Sequence, residues 1–232
     1  MKLRGIEIPD SLLSQRDQLA IKNNEHAYLK QWKKLFKKND VAYDIGAYIG
    51  LISLNLALEG ATVHAFEPSI YNYPRLQQIC KNFPQIVLHP YALHITPKKT
   101  LTQFNDCRRV PKLHPQQEIE YVVLSQYQQK NNLPIPDFIK IDVEGMESLI
   151  LKDLFPHFNP YRPSWQIEWH KGIPFQYSDF PGFITDHFNF NLFSQNNYNI
   201  YDVNMNMTTP DKFEIYQNYF FIPYEKEKKI LL

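Results

Sequence analysis

Glycine is scarce in this chain, with 7 among 232 residues, and cysteine is scarcer, with 2. Cys80 and Cys107 are too few for a disulfide framework and lack any metal-ligand spacing, so two reduced thiols in a cytoplasmic protein are expected. Charge of one sign is also missing: 25 Lys and Arg face 24 Asp and Glu. No net field draws in a polyanion, which argues against a nucleic-acid groove. Long apolar runs are absent too. The longest, Leu51 to Leu58, is interrupted by Ser53 and Asn55 and is far too short to span a bilayer. Met1 to Asp10 lacks the apolar stretch of a secretory signal. Without such a signal, the triplet Asn206-Met207-Thr208 reads as chance rather than as a glycosylation site. Repeats, low-complexity tracts and Gly/Ser linkers are lacking as well. The expectation is therefore one domain over 1–232, with a helical segment at 1–38 and an α/β core at 41–224.

Because glycine is rare, its positions carry information. Gly46, Gly50, Gly60 and Gly145 all fall where one element should hand over to the next. Apolar spacing predicts helix over 11–38, with a break near Asn23-Asn24. A buried strand follows at Val41 to Ile45, then a glycine turn, a helix to Leu58 and a C-capping Gly60. Further strands are predicted at Thr62–Phe66, Ile86–Leu88, Ile119–Leu124, Phe138–Val143 and Ser164–Trp169. Helices are predicted at Tyr73–Asn82, Ser125–Asn131 and Met146–Leu154, and 93–117 reads as a short strand plus loop. Aromatic residues after 175, including Phe213 to Ile222, supply one or two closing strands. Strands alternating with helices imply a parallel sheet covered on both faces, whose ligands collect at the carboxyl ends of the strands. Asp44, Glu67, Asp142, Glu144, Glu168 and His170 all fall there.

Asp44-Ile45-Gly46-Ala47-Tyr48-Ile49-Gly50 has the layout of a nucleotide-binding turn. Its Gly-x-x-x-Gly spacing differs from the Gly-x-Gly-x-x-Gly of pyrophosphate binders. A carboxylate at Asp44 repels a pyrophosphate but suits the amino group of a methionine moiety, which favours S-adenosylmethionine over NAD. Glu67, at the tip of the next strand, is placed to take the hydroxyls of a ribose.

Three further segments follow in order: Ala65-Phe66-Glu67-Pro68, Phe138-Ile139-Lys140-Ile141-Asp142-Val143-Glu144-Gly145-Met146-Glu147 and Gln166-Ile167-Glu168-Trp169-His170. With the Asp-Ile-Gly-Ala turn they resemble the FkbM-like family of methyltransferases over about residues 41 to 170. The resemblance implies the Rossmann-like, seven-stranded class I methyltransferase sheet with helices on both faces, here with an N-terminal helical extension. It implies S-adenosylmethionine as donor and a hydroxyl of a sugar, a glycan or a polyketide-type product as acceptor. Asp44, Gly46 and Gly50, with Ala47 and Tyr48 of the same turn and the nearby Asp142, would surround the methionine end. Glu67 would hold the ribose, Pro68 and Ser69 would flank the adenine, and Tyr91-Ala92 would form the adenine-side turn. Two positions depart from the family pattern: Tyr48 replaces a common Asn, and Leu124-Ser125 replaces a common Leu-Asp.

Methyl transfer from a sulfonium is an in-line displacement, and a hydroxyl acceptor needs its proton removed by a base or acidified by a metal. Lys140, Asp142 and Glu144 alternate along one strand end, and Glu168 and His170 along the next, so the acceptor is expected between these tips. His170 is favoured over Asp142 as base because its reference pKa lies nearest neutrality. Lys140 reads either as catalytic or as an ion-pair partner. Glu147 reads as an acid at a helix N-terminus. Asp142 with Glu168 also offers oxygen ligands to a divalent metal. His64, His89 and His94 read as ordinary strand and loop residues. Lys98-Lys99 and Arg108-Arg109 read as surface, or as contacts to an anionic acceptor such as a nucleotide-sugar. Trp169, Phe175, Tyr177 and Tyr198 are candidate walls of a sugar pocket. A rival nucleic-acid methyltransferase lacks its Asn/Asp-Pro-Pro-aromatic loop here. A non-catalytic S-adenosylmethionine- or nucleotide-binding protein is the alternative of another class.

Overall fold

The computed structural model describes residues 1–22, 35, 37–102, 115–170, 188–214 and 217–227. The chain opens with a hairpin of β1 (Lys2–Leu3) and β2 (Ile6–Glu7) and enters helix α1 (Gln15–Lys22). There follow β3 (Val41–Ile45), α2 (Leu51–Leu58), β4 (Thr62–Phe66), α3 (Tyr73–Cys80) and β5 (Ile86–His89). Next come β6 (Ala92–Leu93), β7 (Lys98–Thr102), β8 (Gln117–Val122), α4 (Leu124–Lys130), β9 (Phe138–Ile141) and α5 (Glu147–Phe158). The last elements are β10 (Ser164–Trp169), α6 (Asn191–Gln195), β11 (Tyr198–Tyr201), β12 (Gln217–Pro223) and α7 (Tyr224–Glu227).

Seven strands form one sheet in the order β11-β12-β10-β9-β3-β4-β5. The pairs from β10 through β5 are parallel, and β12 runs antiparallel to both of its neighbours. Alternation along each strand feeds two cores. Ala42, Val63, Ala65 and Phe138 point to one face, against Leu54, Leu56 and Leu76 of α2 and α3. Tyr43, Ile45, Phe66, Ile139 and Ile141 point to the other, against Leu151, Leu154 and Phe158 of α5 and the aromatics Trp165, Phe193 and Phe221. Burying each such large side chain is worth about 2 kcal/mol, so the strand tips rest on a stiff base.

Several sequence expectations need correction. Two strands, β6 and β7, occupy the start of 93–117 and pair with β8 in a separate three-stranded sheet. The strand predicted over Phe138–Val143 stops at Ile141, and the following helix runs on to Phe158 through Pro156. Phe213 lies outside the closing strands and stacks its ring 3.9 Å from that of Tyr219. The hairpin at residues 2–7 was not expected. Its turn residues Arg4 and Gly5 sit at φ 50° and 89°, the positive pair that a tight two-residue hairpin turn requires. In the N-terminal helical segment, α1 and a 3-10 turn at Asp10–Leu12 are present, while 23–34 and 36 lie outside the described residues. Among the described residues no helix is long and apolar enough to cross a membrane.

Candidate active site

The turn after β3 is knitted to its neighbours. The N–H groups of Gly46 and Ala47 both donate to the Phe66 carbonyl, at 3.0 and 2.9 Å, and the Tyr48 N–H donates to Glu67 Oε2 at 2.9 Å. These three donors are therefore committed inside the protein, so the turn does not present them to an anion as a pyrophosphate loop would. Gly46, at φ 79°, meets the next strand directly: a Cβ there would lie 1.8 Å from the Asp142 carbonyl oxygen. Gly50, at φ 87°, serves helix packing, since a Cβ there would lie 2.5 Å from Leu76 Cδ1 of α3.

Asp44 is fully buried. Ser53 of α2 donates to its Oδ2 at 2.6 Å, and Lys140 Nζ approaches its Oδ1 at 3.1 Å. Lys140 also donates to the Gly46 carbonyl at 2.8 Å and lies 3.8 Å from Asp142 Oδ2. Burial and these partners hold Asp44 beneath the turn. Lys140 is its ion-pair partner and also braces the turn.

Glu67, at the tip of β4, receives the Tyr48 N–H on one oxygen and the Ser69 N–H, at 2.9 Å, on the other. Burial pushes its carboxyl up to about 7, a rise moderated by those two N–H groups, the Asn72 side chain and the Lys140 charge. Ser69 is buried, and its hydroxyl accepts the Tyr71 and Asn72 N–H groups at 3.2 and 3.3 Å. It organises the entry to α3. Pro68, Tyr91 and Ala92 are half-buried nearby, and Tyr91 lies 5.2 Å ring to ring from Tyr127.

The departures from the family pattern now have structural accounts. Tyr48 holds a left-handed φ of 53°, which Asn tolerates better than most residues. Its backbone serves Glu67, while its ring lies under the Arg75 guanidinium at 5.5 Å. Arg75 in turn holds α1 and the turn before it, through Asp17 at 3.0 Å and the Leu12 carbonyl at 2.8 Å. Ser125 opens α4, and both its N–H, at 3.0 Å, and its hydroxyl donate to the Asp153 carboxylate of α5.

On the acceptor side the predicted tips converge. His170 Nε2 lies 3.3 Å from Glu168 Oε1 and 4.0 Å from Asp142 Oδ1. Its Nδ1 bonds Glu147 Oε1 at 2.7 Å. Glu147 is the residue whose role the sequence hid: it is buried in the first turn of α5, and the same oxygen accepts the Val143 and Gly145 N–H groups at 3.1 Å each. It ties the loop after β9 to the end of β10. Burial alone would strip the charge from His170, but hydrogen bonds to Glu147 and Glu168 and the charges of Glu147 and Asp142 overcome it and lift the imidazole to about 10. These neighbours favour the charged form of the ring over the neutral one. Burial also raises Glu168, opposed by His170 and reinforced by Asp142. Glu144 is exposed at φ 57° beyond the strand end, so it does not share the face of Lys140.

Of the candidate sugar-pocket walls, Tyr198 is buried in the core against Phe193, with Arg162 over its ring at 4.3 Å, and is no wall. Trp169 packs edge-on to Phe190 at 4.8 Å beside the tip, whereas Phe175, Tyr177 and Arg108-Arg109 lie outside the described residues. Lys98 sits over the Tyr121 ring at 5.0 Å, and Lys99 pairs with Glu120 at 3.6 Å. His64 and His89 bond to each other at 3.0 Å beneath Phe66, and burial lowers both to about 4.

A seven-stranded sheet of this order, with a glycine turn after its central strand and a buried acid at the next tip, defines the S-adenosylmethionine-dependent methyltransferase class. The family model for the methyltransferase FkbM domain matches residues 44–200, more than half of the chain, and the chain belongs to that family. Its cofactor is S-adenosylmethionine, and the residues present fit it: a buried carboxylate, Glu67, held by the Tyr48 and Ser69 N–H groups, adjoins a turn whose Gly46, Ala47 and Tyr48 N–H groups are taken up within the protein and so offered to no phosphate. Among solved structures, a methyltransferase FkbM from Methylobacillus flagellatus KT is similar at 18% identity and a TM-score of 0.50, over 94% of this chain and 49% of that one. The chain thus spans about half the length of that relative. A precorrin-6y C5,15-methyltransferase from Geobacter metallireducens GS-15 covers 93% of this chain and 98% of its own, at 11% identity and a TM-score of 0.47. A TehB-like SAM-dependent methyltransferase from Corynebacterium glutamicum ATCC 13032 Kitasato covers 90% and 97%, at 11% identity and a TM-score of 0.47. A search of the curated proteins finds no match.

Proposed function

We propose that this chain is an O-methyltransferase that moves the methyl group of S-adenosylmethionine to a hydroxyl of a sugar or glycan. The observation that carries the reading is the meeting of Asp142, Glu168 and His170 at the carboxyl ends of β9 and β10, one residue contact away from the cofactor turn. In this reading Glu67 holds the ribose hydroxyls. The backbone of the 44–50 turn bears on the methionine end, and Pro68, Tyr91 and Ala92 border the adenine. Asp142 and Glu168 are partly exposed, at 28% and 21% of their side chains, and carboxylates at such a position accept hydrogen bonds from sugar hydroxyls. The acceptor oxygen approaches the methyl carbon in line as the sulfur leaves, so positioning supplies much of the rate.

The supporting test is calorimetry with S-adenosylhomocysteine and with NAD, followed by methyl uptake into a panel of sugars, nucleotide-sugars, glycans and polyketide-type alcohols. The expected result is micromolar binding of S-adenosylhomocysteine, no binding of NAD, and methyl uptake by a carbohydrate. Uptake by a polyketide-type alcohol alone would reassign the acceptor, and binding of NAD alone would overturn the reading.

A further inference from the structure

We propose that Asp142, Glu168 and His170 form a three-ligand site for a divalent first-row transition metal, and that the metal takes the acceptor hydroxyl. This rests on the functional reading above and states how its acceptor side works.

The donor set is mixed rather than merely acidic. One imidazole nitrogen and two carboxylate oxygens, from two neighbouring parallel strands, all lie within 4.8 Å of one another. The imidazole is set as a ligand should be. Its Nδ1 is engaged by Glu147 at 2.7 Å, which turns Nε2 toward Asp142 and Glu168. A carboxylate behind the far nitrogen of a ligating histidine is the usual outer support of such sites, fixing ring orientation and raising ligand basicity. Glu147 is itself fixed by the Val143 and Gly145 N–H groups, so the support does not depend on the ligands. The nearby cation, Lys140, holds Asp44 and the Gly46 carbonyl and lies 3.8 Å from Asp142 Oδ2, leaving Asp142 Oδ1 toward the imidazole.

Chemistry then selects the ion. A nitrogen with two oxygens suits Mn, Fe, Co or Zn better than Mg or Ca, which prefer oxygen alone. Metal entry at Nε2 sends the proton there to solvent. Three protein ligands leave coordination positions open, one of which takes the acceptor hydroxyl. The metal-held hydroxyl loses its proton more easily and becomes the nucleophile, the freed proton passing to water. The bond formed is oxygen to methyl carbon, and the bond broken is that carbon to sulfur.

The test is binding, independent of turnover. The chelator-treated full chain is titrated calorimetrically with Co²⁺ and with Mg²⁺, and then with S-adenosylhomocysteine. The expected outcome is one Co²⁺ per chain, bound at least tenfold more tightly than Mg²⁺. In Glu168→Gln and in His170→Asn, with folding checked by circular dichroism, Co²⁺ affinity should fall at least tenfold while S-adenosylhomocysteine affinity stays within threefold. Loss of the Co²⁺ preference over Mg²⁺ in His170→Asn would fix the nitrogen as the selecting ligand. The proposal is overturned if the wild-type chain binds no stoichiometric Co²⁺ below 1 mM, or binds it as well in both variants. If S-adenosylhomocysteine binds normally in that event, only the metal assignment fails. If neither ligand binds the wild-type chain, the functional reading fails with it.

Discussion

Replacing Glu67 with Gln isolates what a buried carboxylate costs the free protein and what it returns on binding. Burial lifts the Glu67 carboxyl from 4.5 to about 7. A raised acid pKa means that the folded state holds its proton more tightly than the unfolded chain does. The penalty for ionising Glu67 is therefore absent below about pH 4.5, grows between 4.5 and 7, and is full above 7, where it reaches about 3 kcal/mol. Gln removes this penalty. It also presents an NH2 group to one of the two backbone donors, Tyr48 or Ser69, and an unpaired buried N–H costs about 1–3 kcal/mol. The two effects nearly cancel at pH 8, while only the loss remains at pH 5. Relative to wild type, the variant should thus melt about 6–12 °C lower at pH 5 than at pH 8. Binding should move the other way. Losing charge-assisted bonds to two ribose hydroxyls costs about 2–4 kcal/mol, or roughly 30- to 1000-fold in affinity for S-adenosylhomocysteine at pH 8. Wild-type affinity should fall about tenfold per pH unit below 7, because only the ionised group accepts both hydroxyls, whereas the variant should show no such slope. Calorimetry at pH 5, 6, 7 and 8 with parallel thermal melts reads all of this. Binding by the variant within threefold of wild type at pH 8 would refute the ribose assignment, and a flat wild-type profile would refute the burial argument.

Three further outcomes are expected. Gly46→Ala forces a Cβ to within 1.8 Å of a backbone oxygen in a left-handed conformation, and should lower the melting temperature by about 6–12 °C, corresponding to about 3 kcal/mol. Lys140→Met strands a fully buried Asp44 and should destabilise by about 3–5 kcal/mol; adding Asp44→Asn should restore at least half of that in denaturant titrations, which a purely catalytic lysine would not do. Ser125→Asp opposes two carboxylates across α4 and α5 and should cost about 1–3 kcal/mol by thermal melt, with Asp153→Ser in the same chain recovering most of the loss.

Alternation and spacing made the sheet legible, because strands buried on both faces read as short apolar runs and their tips stand out as charges. Asp142, Glu168 and His170 could be paired in advance since adjacent parallel strands put their carboxyl ends side by side. What each polar group was spent on could not be read the same way. Asp44 suggested an open carboxylate, yet the Lys140 that neutralises it comes from 96 residues later, across the sheet. Glu147 looked like one more acid in a first helical turn, and only the fold shows His170 behind it. The partner of Ser125 could not be read either, because Asp153 sits on another helix. Glu67 was more accessible to reasoning, since its partners Tyr48 and Ser69 belong to local turns. The Arg4-Gly5 hairpin escaped because two-residue strands have no periodicity to detect, although the positive φ of glycine was a usable sign.

The contact between Gly46 and the Asp142 carbonyl has a wider meaning for how such an enzyme changes over time. In the proposed reading the donor and acceptor sides meet there, where the Gly46 main chain comes closest to the Asp142 carbonyl. On that reading, the span between the two sides is set by the sheet before any pocket residue is chosen. Segments around the acceptor can be exchanged, lengthened or recoloured with new side chains while the line of attack keeps its aim. Recruitment to a new alcohol then becomes a problem of redecorating one wall, and laboratory evolution of this chain is best directed beyond Asp142 with the turn left untouched.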